Sequence, residues 1–464
     1  MTHEDIAFAD VATLQRLLTR RALSSLELTE LYLERLERYG PAYNALVNAM
    51  PERARAEAKR ADRERAAGRV RGPLHGIPYG VKDLLAATGA PTTWGAEPYR
   101  EQRFDYDATV VKRLGAAGAV LLGKLAMVEL AGGFGYNDAD ASFTGPGRTP
   151  WNRDFWSGGS SSGSGAATAA GLVAFAIGSE TSGSILFPAA SCGVTGLRPT
   201  YGRVSRHGAM ALSWTLDKLG PLARSARDAE TVLRAIAGSD PNDSTAVDRP
   251  FAGIRRRPKV GVLAKATEKT MPAVKANFEA SLRVLAEFCD VVPGVALPEL
   301  PFDAAVGTIV NAEGAAAFRE LIESGRSREL RSVDDRTGGY VSYATLAVDY
   351  IDAQRRRTQM VEACRLAFGA YDAIASPTLP TVALPIGIPF DKAYPKYPGA
   401  AGLISAGNAT GLPALCYPNG FGDNGLPTGM SLLGGAFGEA KLSAIAKAFQ
   451  ARTDFHTRRP PVGA

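Results

Sequence analysis

Three separate segments of the sequence carry hydroxyl or amine groups in settings suited to catalysis. The first, LHGIPYGVKDLL, places Lys82 among apolar and glycine residues. The second, WSGGSSSGSGAATAAG, contains Ser160 and Ser161 in a glycine-rich turn. The third, FAIGSETSGSILFPAA, follows an apolar run with a turn that reaches Ser184. Together these segments predict one site for acyl transfer.

The chemistry of such a site depends on the charge of the lysine. A serine hydroxyl is a weak nucleophile until a base takes its proton. A neutral lysine can be that base, but desolvation or a nearby cation must first lower its pKa from about 10.4. The apolar surroundings of Lys82 meet this demand, and a second serine can pass the proton between the lysine and the nucleophile. The sequence therefore predicts a hydrolase that needs no histidine.

The turn before the last serine offers backbone donors for a developing oxyanion. Successive N–H groups in such a turn can form a nest for negative charge, and losing one donor typically costs about 10²–10³ in rate. The residues predicted to supply this oxyanion hole are Thr181, Ser182, Gly183 and Ser184.

Each segment also has a simpler interpretation. A run of glycine and serine is usually a flexible linker, but here AATAAGLVAFAIG follows at once and is typical of packed helix and strand. A phosphate-binding loop needs a lysine after its glycines, and none follows here. A single lysine is most often an exposed charge, so Lys82 becomes informative only beside the two serine segments.

Histidine, metal and cofactor chemistry find little support. The four histidines and four cysteines are dispersed, without the spacing of metal ligands or a CxxC pair. We expect no metal site, no cofactor and no structural disulfide. His75 lies beside the lysine motif and His207 follows a basic loop, and we interpret both as structural.

Composition and charge are those of an ordinary globular protein. Of the 464 residues, 45% are hydrophobic and 22% are charged, and the net charge is +6. The densest charged run, residues 51–71, mixes both signs without aromatic residues, which favours a solvated helix over a nucleic-acid surface. No signal peptide and no membrane-spanning apolar stretch of about 18 residues is visible. We expect a soluble, cytoplasmic protein with no nucleic-acid or membrane partner.

Helix and strand patterns alternate along the chain. SSLELTELYLERLERYG begins with Ser24 and Glu27 in capping-box spacing and is predicted to end at Gly40-Pro41. Asp107 is predicted to cap a second helix. Strands are predicted at 119–124, 172–180, 259–264, 371–377, 414–418 and 429–435. Further helices are predicted at 225–237, 271–288, 343–369 and 439–451. The alternation predicts an α/β sheet covered on both faces.

Taken together, the motifs resemble those of the amidase signature family. GGSSSGSG is similar to the family's GGSSGGS segment, HGIPYGVKD to its lysine motif, and GSETSGSILFPAASCGVTGLRPTYGRVS to its nucleophile region. NATGLPALCYPNG, GLPTGMSLLGG, YDAIASPTLP and FHTRRPPV resemble its C-terminal part. The resemblance covers almost the whole chain and includes the spacing from Ser160 to Ser184.

The resemblance implies a role for each catalytic residue. Ser184 is the implied acyl-accepting nucleophile, Ser160 the bridging serine after a cis peptide bond, and Lys82 the base. Ser161 is implied to support the network by hydrogen bonding, with Gly159 beside it. The implied fold is α/β, a large mixed and twisted β-sheet sandwiched between α-helices.

Two positions depart from the family pattern Asp-x-Gly-Gly-Ser-Ile-Arg. Ser182 replaces a glycine, which requires backbone angles that suit a side chain. Leu186 replaces the arginine and removes a charge near the nucleophile. Neither change touches Lys82, Ser160 or Ser184, which together form the implied proton relay. We therefore expect the relay to remain and the substrate preference to differ.

The resemblance also implies a domain organisation. We expect a single domain over residues 1–464, with a signature core at about 70–225 and a C-terminal half at about 258–464 that completes the same sheet. Between them, the polar segment 238–257 either joins the two halves or forms a surface loop.

The main hypothesis is an amidohydrolase that cleaves amide-type C–N bonds through an acyl-enzyme on Ser184. Esters and carbamates fit the same chemistry, because all pass through a tetrahedral oxyanion. We expect a small-molecule amide-type substrate, with a homodimer as one option for assembly. The aromatic residues near the motifs line an apolar substrate pocket or serve ordinary packing, and they are Phe134, Tyr136, Phe143 and Trp156.

Two further hypotheses stay open. The first is the glutaminase subunit of a tRNA-dependent amidotransferase. The lack of a distinctive charged motif for the glutamine carboxylate, together with Leu186, argues against it. The second is a catalytically inactive binding protein on the same fold, and the presence of all three relay residues argues against that one.

Overall fold

The computed structural model describes residues 1–399 and 402–462, and it contains an 11-stranded sheet. The strands are β1 (Leu46–Ala49), β2 (Pro78–Lys82), β3 (Val120–Leu125), β4 (Phe175–Glu180), β5 (Thr195–Arg198), β6 (Lys218–Ala223), β7 (Lys259–Leu263), β8 (Asp290–Val295), β9 (Ala373–Pro377), β10 (Ala414–Phe421) and β11 (Pro427–Leu433). They lie in the order β1-β3-β2-β4-β6-β5-β10-β11-β9-β7-β8.

Helices pack against this sheet throughout the described chain. They are α1 (His3–Ala7), α2 (Val11–Thr19), α3 (Ser25–Tyr43), α4 (Pro51–Ala66), α5 (Thr109–Ala116), α6 (Ser162–Ala169), α7 (Leu186–Cys192), α8 (Ala226–Ile236), α9 (Pro272–Ala286), α10 (Phe302–Ala317), α11 (Arg319–Glu323), α12 (Val333–Ser342), α13 (Ala347–Phe368), α14 (Gly402–Thr410) and α15 (Glu439–Gln450).

The sheet mixes parallel and antiparallel neighbours. Strand β2 runs parallel to β3 and β4, and β7 runs parallel to β8 and β9. The other neighbouring pairs are antiparallel. The predicted α/β fold with one large mixed sheet is confirmed.

Parallel pairing brings two of the sequence motifs to one edge of the sheet. In the register of β2 with β4, Tyr79 lies opposite Phe175 and Val81 opposite Ile177. Lys82 therefore ends β2 beside the end of β4, where the turn leading to Ser184 begins. The carboxyl ends of parallel strands are a common place for functional residues, because the loops there converge.

All six predicted strands correspond to observed strands, but β1, β2, β5, β6 and β8 were not predicted. Two of these have sequences of low strand propensity. Strand β2 reads PYGVK and β6 reads KLGPLA, so each contains proline and glycine and carries a lysine at one end. Tertiary pairing overrides this weak local preference, since both strands are fully buried between neighbours.

The first long helix begins as predicted and ends later. Ser24 and Glu27 form the capping box, so the predicted start is confirmed. The predicted end at Gly40-Pro41 is wrong, because the helix continues through Pro41 to Tyr43 and stops at left-handed Asn44. Tyr43 is buried in the core, and this packing outweighs the local helix-breaking effect of the proline.

The predicted capping role of Asp107 is also wrong. The N-cap of α5 is Ala108, with no side-chain hydrogen bond. The Asp107 carboxylate instead accepts from the Arg53 guanidinium at 2.8 and 2.9 Å and from the Thr88 N–H at 2.7 Å. A bidentate partner on α4 thus outcompetes the local helix start for this carboxylate.

Strands from both predicted halves of the chain lie in this one sheet. Strand β10 pairs with β5 in antiparallel fashion, with Ala414 opposite Arg198 and Cys416 opposite Gly196. The division into a signature core and a C-terminal half within one domain stays a prediction.

Two features of the described residues concern membranes and cysteines. None of the helices in residues 1–399 and 402–462 is both long and apolar enough to cross a bilayer. All four cysteines are buried and unpaired.

Candidate active site

The side chain of Lys82 lies at the centre of the candidate site and is fully buried. Its Nζ donates to Ser160 Oγ at 2.7 Å and to Ser179 Oγ at 2.9 Å. Ser179 belongs to β4, so two neighbouring segments hold the amine in place. The predicted contact between Lys82 and Ser160 is present.

Burial changes the acidity of this amine. It lowers the pKa of Lys82 to about 7, while the negative charges of Asp217 and Glu180 oppose the change by raising the pKa. Desolvation dominates because a charged ammonium loses its hydration inside the protein. At neutral pH a large fraction of Lys82 is therefore neutral and able to accept a proton.

The glycine-rich segment brings its two serines to different partners. The Gly159–Ser160 peptide bond is cis, as the resemblance implies. Ser161 Oγ donates to the Ser179 carbonyl at 3.1 Å and accepts from the Ser179 N–H at 3.2 Å, so it fastens the segment to β4. A Cβ on Gly159 would lie 2.6 Å from the Trp156 ring, which leaves no room for a side chain.

The turn predicted to carry the nucleophile, residues 181–184, follows directly after β4 and is called the nucleophile turn below. The Ser161 N–H donates to the Ser184 carbonyl at 3.3 Å and so places the two serine segments side by side. Within the described part of the chain, the Ser184 hydroxyl has no hydrogen bond, and the N–H groups of 182–184 donate none. These N–H groups are therefore free donors, as the predicted oxyanion hole requires.

A buried carboxylate, missed by the sequence analysis, organises this turn. Glu180 Oε2 accepts from the N–H groups of Ile185 and Leu186 at 2.9 and 3.1 Å. Its Oε1 accepts from Arg198 Nη1 and Asn408 Nδ2, each at 2.8 Å. Burial by itself would raise the pKa of Glu180, but Arg198 and Asn408 hold that pKa below its ordinary value. The four donors thus keep an ionised group at the base of the turn.

The structure explains both departures from the family pattern. The positive φ of +93° falls on Gly183, and Ser182 is not among the residues with positive φ. Ser182 is therefore accommodated without backbone strain. Leu186 is 1% exposed and packs in a hydrophobic cluster with Ile185 and Ala189, so the position is part of the core.

A second buried lysine stabilises the loop after β2. Lys124 Nζ lies 2.8 Å from Asp83 Oδ1, and both side chains are 0% exposed. The other carboxylate oxygen of Asp83 accepts from the Thr93 N–H at 2.9 Å. Since Asp83 follows Lys82 directly, this ion pair helps to fix the end of β2.

One cavity of about 290 Å³ borders this network. Ser179, which accepts from Lys82, and Thr181, the first residue of the nucleophile turn, both line it. Its remaining lining residues are Leu84, Ala131, Arg206, His207, Gly208, Ala209, Met210, Ala211, Leu212, Trp214, Asp217, Leu219, Asn242 and Asp243. The wall combines apolar residues with the charged side chains of Arg206, Asp217 and Asp243.

None of the four predicted pocket aromatics lines that cavity. Tyr136 and Trp156 pack edge to face at 6.0 Å, and Trp156 also stacks on Phe390 at 4.6 Å. Phe134 packs edge-on against Phe318. Phe143 lies under the Arg100 guanidinium in a separate surface groove. Trp156 lies next to the glycine-rich segment, because its ring is beside Gly159.

Neither histidine that the sequence analysis considered bonds to a relay residue. His75 is buried, and its Nε2 lies 3.0 Å from the Ala61 carbonyl. His207 lines the cavity and stacks on Tyr106 at a centroid distance of 5.7 Å. Among the described residues, no group of three His, Cys, Asp or Glu side chains is arranged to hold a metal ion.

Comparison with known proteins places this geometry in a family. A family model described as Amidase matches residues 27–442. The chain belongs to the amidase family. The predicted membership in the amidase signature family is confirmed, and with it the coarser prediction of an amidase-type hydrolase acting on C–N bonds.

Relatives in this family include proteins of two named kinds. The chain is 38% identical to a glutamyl-tRNA(Gln) amidotransferase subunit of Roseiflexus castenholzii, over 97% of both chains. It superimposes on the native peptide amidase of Stenotrophomonas maltophilia with a TM-score of 0.86 and 33% identity, covering 98% and 99% of the two chains. The corresponding glutamyl-tRNA(Gln) amidotransferase subunit of Thermotoga maritima gives a TM-score of 0.79 and 30% identity, covering 95% of each chain.

These relatives overturn the expectation about partners. The sequence analysis expected a small-molecule amide-type substrate and no nucleic-acid partner. The amidotransferase relatives are named for a tRNA, so the expectation of a small-molecule substrate alone, with no nucleic-acid partner, is wrong.

Proposed function

We propose that this protein hydrolyses amide C–N bonds through an acyl-enzyme on Ser184. The observation that carries the proposal is the buried Lys82 amine, whose pKa is lowered to about 7 and which bonds to Ser160 at 2.7 Å. A lysine in that state can act as a general base near neutral pH. Ser160 and Lys82 would then form the proton relay.

The proposed reaction has two steps. Ser184 Oγ attacks the amide carbonyl while its proton passes through Ser160 to Lys82, and the N–H groups of the nucleophile turn bind the oxyanion. The C–N bond breaks as the leaving nitrogen takes a proton from the relay. Water then attacks the acyl-enzyme and gives a proton to the relay. The ester C–O bond breaks to release the acid, and Ser184 Oγ takes the proton back from the relay.

For the amide donor we propose glutamine, and for the biological role the glutaminase subunit of a tRNA-dependent amidotransferase. The support is the 38% identity to the Roseiflexus castenholzii amidotransferase subunit over 97% of both chains. This role was the second hypothesis of the sequence analysis, and the relatives favour it over the main one. The cytoplasmic location expected from the sequence stays a prediction.

A second candidate is the hydrolysis of terminal carboxamides by the chain acting alone. Its specific support is the higher TM-score with peptide amidase, 0.86 against 0.79. The apolar residues Met210, Leu212 and Trp214 in the cavity wall also suit a substrate larger and less polar than glutamine.

Ammonia release separates these candidates. The chain would be assayed with L-glutamine and with a C-terminally amidated peptide, both alone and together with the other subunits of a tRNA-dependent amidotransferase and charged tRNA. Glutamine hydrolysis that depends on the complex supports the first role, and peptide-amide hydrolysis by the isolated chain supports the second. A fluorophosphonate probe that labels wild-type protein but not Ser184→Ala tests the shared chemistry. Absence of labelling and of ammonia release in every arm contradicts both.

A further inference from the structure

A hydrogen-bonded path connects the nucleophile turn with the long helix α13. It passes through two buried carboxylates, Asp217 and Glu313, which are 9% and 5% exposed. Neither forms a hydrogen bond with Lys82, Ser160 or Ser184, although the charge of Asp217 acts on the pKa of Lys82. The path crosses the segment 212–217, which forms one wall of the cavity.

The first part of the path joins the turn to the cavity wall. Asp217 Oδ1 accepts from Thr181 Oγ1 at 2.6 Å. Asp217 Oδ2 accepts from the N–H groups of Leu212 and Ser213, each at 2.9 Å. One carboxylate thus holds both the first residue of the nucleophile turn and the start of the wall.

The second part joins the cavity wall to two helices. Glu313, on α10, accepts from Ser213 Oγ, from the Thr215 N–H at 3.1 Å and from Thr215 Oγ1 at 2.9 Å. Glu313 Oε1, the oxygen that accepts from Thr215 Oγ1, also accepts from the Tyr350 hydroxyl at 2.8 Å. Gln354, one turn further along α13, donates to Thr215 Oγ1 at 3.2 Å.

The cavity wall depends on these bonds for its shape. Segment 212–217 lies in neither a helix nor a strand, so backbone ladders do not hold it in place. A buried carboxylate is retained only where donors replace its water, and each donor it binds is then fixed in position. Charged groups nearby are Lys218, next in sequence to Asp217, and Arg357, which donates to the Thr215 carbonyl at 3.1 Å.

We propose that Asp217 and Glu313 are positioning residues for acyl transfer, which hold Thr181 and the cavity wall where the attack on the amide requires them. This inference rests on the proposed function of Ser184. It assigns to α10 and α13 the task of supporting the nucleophile turn from outside the relay. A small shift of a nucleophile or an oxyanion donor is enough to slow such a reaction strongly.

The rate of Ser184 labelling by a small fluorophosphonate tests this. In that reaction Ser184 Oγ bonds to phosphorus, fluoride leaves, and the hydroxyl proton goes to the relay. We expect Glu313→Gln to lower kinact about tenfold, with KI changed less than about twofold. The matched control is Glu320→Gln, an exposed residue on neighbouring α11, which is expected to label at the wild-type rate.

A double-mutant cycle separates positioning from general loss of stability. Thr181→Val removes the hydroxyl that reaches Asp217, so its effect on kinact is expected to overlap with that of Glu313→Gln. The proposal is overturned if the two substitutions lower kinact by strictly additive amounts of activation free energy in the double variant. It is also overturned if the Glu313→Gln protein folds natively and labels at the wild-type rate. If Glu313→Gln does not fold, Tyr350→Phe takes its place, because it removes one hydrogen bond to Glu313 at the far end of the path. The same two outcomes for kinact then overturn the proposal. Failure of the wild type to label refutes the proposed function itself.

Discussion

Arg198 donates to the carboxylate of Glu180 at 2.8 Å, and both side chains are fully buried. The two residues lie on β5 and β4, and β6 separates these strands in the sheet. The family pattern has an arginine at the position of Leu186, which is core in this protein. A cation therefore lies beside the carboxylate that organises the nucleophile turn, and it comes from β5, two strands away from β4.

Breaking this pair is expected to destabilise the fold. In Glu180→Gln the buried guanidinium of Arg198 loses its counter-charge, which typically costs about 3–5 kcal/mol. The midpoint of urea unfolding should fall accordingly. The double variant Glu180→Gln/Arg198→Met, which removes both charges, should recover part of the loss. Wild-type urea resistance in Glu180→Gln would show that the pair is not needed.

Activity is expected to rise with pH through about 7. Lys82 works as a base only when neutral, and its pKa is lowered to about 7, so protonation below that pH removes the base. A kcat/KM profile for amide hydrolysis should therefore have an acidic limb near pH 7 and level off above it. Lys82→Met should lose most activity at every pH. A limb near the ordinary lysine pKa would contradict the burial argument.

The two neighbouring serines are expected to differ in their effects. Ser160→Ala removes the hydroxyl between Lys82 and the nucleophile, and kcat should fall about 10²- to 10⁴-fold. Ser161→Ala removes hydrogen bonds to the backbone of β4, which should cost about 1 kcal/mol of stability and far less activity. Steady-state kinetics together with urea unfolding distinguish the two, and equal losses of kcat would argue against separate roles.

The buried pair of Lys124 and Asp83 is expected to act on stability more than on chemistry. Lys124→Met leaves the Asp83 carboxylate buried and unpaired, which typically costs about 3–5 kcal/mol. Thermal unfolding should shift to lower temperature. At a temperature where the variant is folded, Ser184 labelling should stay within about tenfold of the wild type. A larger loss would place this pair in the relay.

Local sequence predicted the elements whose signals are short-range. The capping box at Ser24 and Glu27 needs only neighbouring residues, and it formed as predicted. The end of the same helix depended on where Tyr43 packs, and the role of Asp107 depended on Arg53 in another helix. Strands β2 and β6 were not predicted because they also depend on tertiary contacts, since their pairing partners lie far along the chain.

The sequence by itself determined the family, the fold class and the presence of Lys82, Ser160 and Ser184, because motif residues and periodicity are local properties. Only the tertiary structure decided that Lys82 is desolvated enough to be neutral near pH 7. It alone brought Asn408 from the C-terminal part of the chain to Glu180. Such contacts depend on the order of strands in the sheet, and burial depends on every element that covers a side chain.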